Sequence, residues 1–311
     1  MKNAHSGLKV FAPASVANMA CGYDILGFAL EKPGDEVFVK FSDKPGLRIT
    51  KITGGKLPYE VEKNTAGFAA LKLIEHLGET GRGFEMEIHK KMPFGSGLGS
   101  SAASAAAAVM AVNEILYRPL EKRELLPFAV LGEQVADGAY HADNVAPSLM
   151  GGIIFIRDNA TLDVHRLPAI KGLHAAVIHP KIQVLTRDSR AILKDHVSLK
   201  QMIQQTGSIG GFVTGCYTGN LDLIQRSLND VVIEPQRAQL IPGFYAAKEA
   251  ALKEGALGCS ISGAGPSIFA LCANNLIAEN AGAALQKVFT DQKIKSELFI
   301  SPINHEGAVL C

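Results

Sequence analysis

The stretch Pro93-Phe94-Gly95-Ser96-Gly97-Leu98-Gly99-Ser100-Ser101-Ala102-Ala103-Ser104 decides how the fold and the chemistry of this chain are interpreted. An alternating segment at residues 84–89 precedes it and predicts a strand. An alanine-rich segment follows and predicts a helix that ends near Arg118-Pro119, because proline cannot continue a helix. Strand, glycine loop and helix N-terminus, in this order, bring backbone N–H groups and the positive end of a helix to a phosphate.

A tight turn before a closely packed helix is the alternative interpretation, since the alanines from Ala105 to Ala108 suit close packing. Three glycines and three serines within nine residues are, however, more than a turn needs. Glycine also lets the backbone pass close to an anion because it has no Cβ. We therefore predict phosphate binding, with Ser100 or Ser101 either capping the helix or reaching a metal on the phosphates.

Three other nucleotide-binding motifs do not match this loop. The chain lacks the Gly-Lys-Ser/Thr of a Walker loop and the His-Arg-Asp and Asp-Phe-Gly of a protein kinase, and Ser100 stands where a dinucleotide fingerprint needs glycine. The loop instead resembles the phosphate loop of the GHMP kinases, named for galactokinase, homoserine kinase, mevalonate kinase and phosphomevalonate kinase. The resemblance implies that ATP is bound by Pro93, Phe94, Gly95, Ser96, Gly97, Leu98, Gly99, Ser100, Ser101, Ala102 and Ala103.

The composition is that of an ordinary globular protein with room for two domains, since 47% of the 311 residues are hydrophobic and 20% are charged. The net charge of +1 gives no reason to expect nucleic acid or an anionic membrane as a partner. Five widely spaced cysteines without a Cys-x-x-Cys pair argue against a zinc site or a disulfide framework. The first seven residues have no apolar signal core and no apolar run is long enough to span a bilayer, so we expect a cytoplasmic protein.

The segment at residues 12–30 is small, rich in turns and carries two polar residues, Asn18 and Asp24, in uncharged surroundings. A purely structural interpretation places Asn18 in a left-handed turn and makes Asp24 a cap for the following residues. The segment also resembles the first motif of the homoserine kinases within that family, with Met19, Ala20 and Tyr23 in place of the usual Leu, Gly and Phe. The resemblance implies that Asn18 and Asp24 face an amino-acid substrate, Asp24 close to the hydroxyl to be phosphorylated.

Two polar positions near the loop have ordinary structural interpretations. A helix is predicted over residues 66–77, and Asn64 or Thr65 is its natural N-cap. The family resemblance implies in addition that Asn64 lies beside the adenine ring. Lys90 and Lys91 stand at the end of the strand before the loop, and we interpret both as solvated.

A second helix is predicted over residues 122–136, with Pro127 bending or restarting it, and it carries Glu133. An isolated helical glutamate is usually a surface residue. The family resemblance implies instead that Glu133 joins a loop serine at Mg²⁺. A hard cation that bridges phosphates takes one or two oxygen ligands from protein, which suits Ser100 and Glu133.

Three further segments carry candidate substrate ligands. The cluster His141-Ala142-Asp143-Asn144 matches a homoserine-kinase stretch, which implies that His141 and Asn144 face the substrate; the orientation of Asp143 is not readable from sequence. Arginine grips a carboxylate through two parallel hydrogen bonds, and the resemblance implies this role for Arg190 and Arg237, with Thr186 nearby. The glycine-rich stretch at residues 259–267 reads by itself as a turn, yet it matches the third GHMP motif and brings Gly263 to the substrate.

These observations predict an α+β protein of two domains, residues 1–155 and 156–311. The family resemblance implies an N-terminal ATP-binding domain like domain 2 of ribosomal protein S5, a ferredoxin-like C-terminal domain, the substrate between them, and a homodimer. It further implies an ATP- and Mg²⁺-dependent kinase whose acceptor is L-homoserine. Ser100, Glu133 and Asp24 would be its catalytic residues, and Asp24 either positions the hydroxyl or acts as a weak base.

Two alternatives stay open at this point. The nearer one is a kinase of the same family that acts on mevalonate, shikimate or a sugar. The more distant one is a non-catalytic nucleotide sensor on the same fold. The presence of Ser100, Glu133 and Asp24 argues against the sensor, because a sensor needs neither a metal ligand nor a partner for a hydroxyl.

Overall fold

A computed structural model describes residues 7–138, 140–184 and 186–311, without the side chains of Ala136, Asp137 and Thr186. An N-terminal sheet in the order β11-β1-β2-β4-β3 also takes β5 against β2 and β6 against β5. All neighbours are antiparallel except β3 and β4, which are parallel. The strands of this sheet are β1 Leu8–Ala17, β2 Leu26–Ser42, β3 Gly46–Thr53, β4 Gly83–His89, β5 Ile153–Asp158, β6 Asp163–Arg166 and β11 Val309–Leu310.

Four helices pack on this sheet and on one another: α1 Thr65–His76, α2 Ser100–Ile115, α3 Lys122–Asp137 and α4 Val145–Met150. Helix α2 is the central one, and its residues from Ala102 to Asn113 are buried on every side. A helix that is apolar all round belongs inside a core, so the close packing expected of the alanine run is confirmed together with the helix. Helix α3 continues through Pro127 without a break, so the alternative of a restarted helix is wrong.

The C-terminal sheet is antiparallel and has the order β10-β7-β9-β8, from strands β7 His174–Pro180, β8 Gly258–Ile261, β9 Ile268–Cys272 and β10 Ser296–Pro302. Helices α9, Phe244–Lys253, and α10, Asn275–Asp291, bury their apolar faces against it. In chain order this sheet reads 4-1-3-2, with helices after the first and third strands. That is the split βαβ arrangement of ferredoxin-like domains, so the predicted C-terminal fold is confirmed.

The connection from β7 to α9 holds four more helices, α5 Thr186–Ala191, α6 Leu199–Thr218, α7 Leu221–Ser227 and α8 Glu234–Arg237. Helices α6 and α7 pack as a hairpin. The two segments that carry the predicted carboxylate ligands form the short helices α5 and α8. Arg190 is thereby fixed on α5 and Arg237 on α8. Among the residues described here, no helix is long and apolar enough to cross a bilayer.

The two sheets meet along β2. Phe28 lies edge-on to Phe269 with ring centroids 6.0 Å apart, and Leu30 forms an isolated bridge with Ile303. The predicted division at residue 155 falls inside β5, whose pairing with β6 carries the N-terminal sheet on to Arg166. The boundary stays a prediction, and we propose to place it in the connection between β6 and β7.

Candidate active site

The glycine loop before α2 adopts a conformation that only glycine accepts easily. Gly95, Gly97 and Gly99 have φ angles of +60°, +79° and +66°, and Gly99 is the N-cap of α2. A Cβ at Gly97 would collide with the carbonyl oxygen of Ser262, and one at Gly99 would lie 2.7 Å from Asn144 Oδ1. The backbone thus turns tightly here and delivers the first N–H groups of α2, which have no intrahelical acceptor, to the adjoining cavity.

Hydrogen bonds from the first motif, which contains Ser15, and from the third motif, which contains Ser262 and Ser267, fix this loop in place. The Ser15 N–H donates to the Leu98 carbonyl at 3.0 Å, and the Ser267 N–H donates to the Ser96 carbonyl at 3.1 Å. The hydroxyl of Ser262, which is fully buried, donates to the Gly97 carbonyl at 2.6 Å. Three successive loop carbonyls are therefore bonded to protein, which fixes the orientation of the loop peptides.

A buried ionic cluster supports the start of α2; we call it the phosphate-end cluster and define it as Asp35, Lys90, Ser100 and Ser104. The Lys90 ammonium donates to one oxygen of Asp35, to the Ser100 carbonyl at 2.6 Å and to the Ser104 hydroxyl at 2.7 Å. The Lys90 side chain is only 2% exposed and that of Asp35 is fully buried. Burial lowers the pKa of Lys90, and the Asp35 carboxylate opposes this effect. The interpretation of Lys90 as solvated is therefore wrong, while Lys91, 53% exposed, agrees with it.

Asp35 is the residue that the sequence analysis missed. Its Oδ2 accepts from the hydroxyls of Ser100 at 2.8 Å and Ser104 at 3.1 Å, and its Oδ1 accepts from the Lys91 N–H at 2.8 Å. The signal was present in the sequence, because Asp35 shares its strand face with the apolar Val37 and Val39. A charged residue in phase with a buried face predicts a buried partner.

The two residues predicted to hold Mg²⁺ both line the cavity next to the loop. Ser100 donates its hydroxyl proton to Asp35, which leaves its oxygen lone pairs for a cation. Glu133, on α3, is 8% exposed, and its charge acts on Lys90, whose pKa it raises. A hydroxyl oxygen and a carboxylate form the hard donor set that Mg²⁺ takes from protein, so these residues fit the ion. Their role as ligands stays a prediction.

Asn64 caps α1 as predicted, since its Oδ1 accepts from the Gly67 N–H at 3.1 Å. Its Nδ2 donates to the Pro58 carbonyl at 2.9 Å, which ties the cap to the preceding loop. Asn64 and the half-exposed ring of Phe94 both line the cavity. The contact of Asn64 with adenine stays a prediction.

A second group of polar residues lies in or next to the cavity. We call it the substrate-end cluster and define it as Tyr23, Asp24, His141, Asp143, Arg190 and Arg237, of which all but Tyr23 line the cavity. Arg190 donates to both oxygens of Asp24 at 3.4 Å and to His141 Nε2 at 2.8 Å. The Arg190 and Asp24 side chains are 33% and 27% exposed. Asp24 lies in a turn before β2 and has a φ of +58°, which agrees with the structural interpretation of a turn residue.

The hydrogen-bond partners of His141 fix its tautomer. Arginine has no acceptor, so His141 Nε2 must accept the hydrogen bond from the Arg190 N–H. The ring proton of His141 is therefore on Nδ1. Nδ1 lies 2.7 Å from the carboxylate of Asp143, which is 2% exposed. Asp143 therefore points inward and orients the imidazole. Burial raises the pKa of Asp24 above its usual range, the charge of Asp143 adds to this effect, and Arg190 opposes it.

Asp24, His141 and Asp143 also offer ligand atoms within 4.8 Å of one another, a spacing at which three such groups can bind a metal. Arg190 already contacts two of the three, Asp24 and His141. Because the Arg190 guanidinium supplies the positive charge at this position, we assign no metal to it.

Asn18 joins the two ends of the cavity. It adopts the predicted left-handed conformation, with a φ of +71°. Its Oδ1 accepts from the Asp24 N–H at 3.0 Å, and its Nδ2 donates to the Gly263 carbonyl at 2.9 Å. The same carbonyl accepts from Arg237 Nη1 at 2.9 Å, and a Cβ on Gly263 would lie 3.4 Å from the Gly97 carbonyl oxygen. The Gly263 peptide thus connects the substrate loop, the phosphate loop and one of the two arginines.

One open cavity of about 850 Å³ brings nearly all the predicted site residues together. Asn144 borders it, with its Oδ1 accepting from the Ser15 hydroxyl at 2.9 Å beside Gly99. Pro93, Ala102 and Ala103 are absent from its lining, and the last two are buried beneath the loop. The side chain of Thr186 lies outside the described residues. The volume suits a nucleotide together with a small second ligand.

The family models match this geometry in both halves of the chain. The model described as "GHMP kinases N terminal domain" covers residues 64–152, and that described as "GHMP kinases C terminal" covers residues 212–291. A homoserine kinase of Chlorobium phaeovibrioides is 47% identical over 311 residues, covering 96% of this chain and 97% of that protein. The chain belongs to the homoserine kinase family of the GHMP kinases.

A solved structure supports the same family at the level of the whole fold. The crystal structure of homoserine kinase from Cytophaga hutchinsonii superposes with a TM-score of 0.96 at 48% identity and covers 100% of this chain and 99% of that one. The mevalonate kinase of L. major in complex with R-mevalonate reaches a TM-score of 0.71 at 17% identity, covering 97% of this chain and 98% of that one. The second comparison shows a shared fold alone, so the fold does not by itself choose the substrate of a GHMP kinase.

The arrangement of this GHMP kinase separates two tasks along one cavity. The helix N-terminus offers N–H groups to a polyphosphate, and Ser100 and Glu133 beside it offer hard oxygens to a cation on that polyphosphate. The substrate-end cluster offers a carboxylate, a neutral imidazole and two guanidinium groups to a small polar molecule. Members of the family are ATP-dependent small-molecule kinases. The assignment of the first group to a donor site and of the second to an acceptor site stays a prediction.

Proposed function

We propose that this protein transfers the γ-phosphoryl group of ATP to the side-chain hydroxyl of L-homoserine and forms O-phospho-L-homoserine. The observation that carries the proposal is the cavity itself, which is lined both by the N-terminus of α2 and by Asp24 paired with Arg190. The names of the relatives at 44–47% identity support the same acceptor.

Phosphoryl transfer through a loose transition state is chiefly a matter of positioning and charge stabilisation. The phosphate loop serves both, because its peptides are fixed by Ser15, Ser262 and Ser267 before any ligand arrives. Fixed N–H groups need no reorganisation when charge develops on the phosphoryl oxygens. In our proposal Ser100 and Glu133 hold Mg²⁺, which neutralises charge on the phosphates when it is bound.

A small amino-acid alcohol needs a partner for its hydroxyl, acceptors for its ammonium and a clamp for its carboxylate. We assign Asp24 to the hydroxyl and Arg190 with Arg237 to the carboxylate. We assign the amide oxygens of Asn18 and Asn144 to the ammonium. Each of these oxygens already accepts one hydrogen bond and has a second lone pair for another.

The contacts between Asp24 and Arg190 are suited to exchange for a substrate. Both are 3.4 Å long between partly exposed side chains, and such pairs contribute about 0–1 kcal/mol to stability. The hydroxyl oxygen and the carboxylate carbon of homoserine are about 5 Å apart, four bonds along the chain. The two ends of one substrate can therefore take over the hydrogen bonds that Asp24 and Arg190 now share. Whether Asp24 also removes the proton stays open between a positioning role and a weak base.

The test is steady-state kinetics at saturating ATP and Mg²⁺ over homoserine, 3-aminopropan-1-ol, mevalonate, shikimate and galactose. We expect homoserine to have the highest kcat/KM, and 3-aminopropan-1-ol to be poor because it lacks the carboxylate. Losing a buried charge-assisted bond costs about 2–5 kcal/mol, so Arg190→Ala should weaken homoserine use by that energy and discriminate much less between these two alcohols. A better acceptor elsewhere in the panel would leave the family intact and exclude homoserine. No turnover of any acceptor would favour the nucleotide sensor.

A further inference from the structure

Tyr23 lies between the two arginines that we assign to the carboxylate. Its hydroxyl oxygen accepts from Arg190 Nη1 at 3.1 Å and from Arg237 Nη2 at 3.5 Å. The centroid of its ring is 5.9 Å from the guanidinium carbon of Arg190 and 5.0 Å from that of Arg237. One side chain thus contacts both guanidinium groups through its ring face and through its oxygen.

The two guanidinium groups need such a partner, because they repel one another. The pKa of Arg237 is lowered mainly by burial, and the charge of Arg190 lowers it further. An aromatic face attracts cations, and a phenol oxygen that accepts from both groups offsets part of their repulsion. Arginine has no acceptor, so the phenol proton of Tyr23 must point away from both.

The two arginines differ in their exposure and in the groups to which they donate. Arg237 is 3% exposed and donates from Nε to the Ser189 carbonyl at 3.1 Å and from Nη1 to the Gly263 carbonyl at 2.9 Å. The Arg190 side chain is 33% exposed and donates to the side chains of Asp24, His141 and Tyr23. The shared Tyr23 oxygen therefore ties the more exposed guanidinium to the one that the backbone fixes, and it sets the spacing between them.

We propose that Tyr23 is a positioning residue that holds Arg190 and Arg237 at the spacing of a carboxylate clamp and so selects acceptor alcohols that carry a carboxylate. This inference rests on the proposed function, because it presupposes a carboxylate at the two arginines. Tyr23 is not among the residues that line the cavity, so it acts through the arginines. Burial raises the pKa of its phenol, which stays neutral at the pH of the reaction.

The test compares the parent enzyme with Tyr23→Phe, which keeps the ring and removes only the shared acceptor. We expect the KM for homoserine to rise about 10-fold, with kcat within about 2-fold of the parent, since a hydrogen bond to a charged group is lost. The kcat/KM for 3-aminopropan-1-ol should stay within about 2-fold. The matched control is Tyr245→Phe, which removes the hydroxyl of an exposed tyrosine on α9 and should change none of these values.

A second variant separates positioning from a general effect on the fold. In an Arg190→Ala background, Tyr23→Phe should change the KM for homoserine by less than about 2-fold, because one half of the clamp is already absent. An unchanged KM in the single Tyr23→Phe variant, or an equal loss with both alcohols, would overturn the inference. A full additional loss in the Arg190→Ala background would overturn it as well. A parent enzyme that does not prefer homoserine would instead refute the proposed function, whatever Tyr23→Phe does.

Discussion

The phosphate-end and substrate-end clusters both place carboxylates against basic side chains, yet they are built differently. The Lys90 side chain is 2% exposed and donates within a closed set of partners on β2 and α2, at distances of 2.6 and 2.7 Å to Ser100 and Ser104. Arg190 and Asp24 are about one third and one quarter exposed and meet at 3.4 Å. Burial of the Lys90 and Asp35 side chains makes the first cluster a fixed support for α2. The contacts of the substrate-end cluster are longer and partly exposed to solvent, so they can be exchanged for contacts with a substrate.

The same contrast exists between two neighbours in the chain. Lys90 pairs with Asp35 inside the protein, and Lys91 pairs with Glu36 on its surface. Both pairs bridge the end of β4 and the middle of β2, so they share the same local backbone. Solvent exposure is the main difference between them, which makes them a natural experiment on what burial contributes.

We expect the largest effect from a substitution that breaks the buried pair of Lys90 and Asp35. Lys90→Ala leaves the Asp35 carboxylate buried without its cation, and we expect the free energy of unfolding to fall by about 3–5 kcal/mol. Lys91→Ala, the matched control, should cost no more than about 1 kcal/mol because its partner stays hydrated. Urea denaturation of both variants measures the difference. Equal losses would contradict the distinction between the two lysines.

The second largest effect is expected from substitutions that distinguish the support of α2 by the phosphate-end cluster from the predicted binding of Mg²⁺. Ser100→Ala and Glu133→Ala should each lower kcat by about 10²-fold or more and raise the Mg²⁺ concentration needed for half-maximal rate, because each removes a predicted oxygen ligand. Ser104→Ala is the control, since it removes another hydroxyl bonded to Asp35 at 3.1 Å. Titration of the rate with Mg²⁺ decides the question. A Ser104→Ala variant with the same Mg²⁺ dependence as Ser100→Ala would show that both serines act through Asp35 alone.

The smallest effect tests the charges at the substrate end. If an ionised Asp24 serves the hydroxyl, kcat/KM falls as the pH falls through the pKa of Asp24, which burial and then Asp143 raise. Asp143→Asn removes that negative charge and keeps an acceptor for His141, so the acid limb should move to lower pH. Asp158→Asn, at the partly exposed end of β5, is the control. A pH profile that Asp143→Asn leaves in place would contradict either the ionised role of Asp24 or its coupling to Asp143.

The sequence alone determined the local features of this protein. Glycines before an alanine-rich helix, a left-handed Asn18 and an N-capping Asn64 depend on a few neighbouring residues, and the structure confirms all three. The family resemblance supplied the two-domain fold and the acceptor, which no local pattern contains.

The alternating burial along β4 also distinguishes the two lysines that follow the strand. Phe84, Met86 and Ile88 are buried, and Lys90 continues their face, whereas Lys91 stands on the other. The alternation of side chains along a strand thus assigns Lys90 and Lys91 to opposite faces of the sheet from the sequence alone. It does not name a partner, because Asp35 reaches Lys90 only through the register that pairs Glu36 with His89.

Only the tertiary structure decided which distant residues meet. Asp24 and Arg190 are 166 positions apart, and Tyr23 and Arg237 are 214 apart, on a loop and helices that no repeat or local pattern relates. Their meeting depends on how the C-terminal domain packs against β2, and that packing is the sum of many weak apolar contacts spread over both cores. Such a sum has no local signature, so the charged contacts at the substrate end became visible only once the chain was folded.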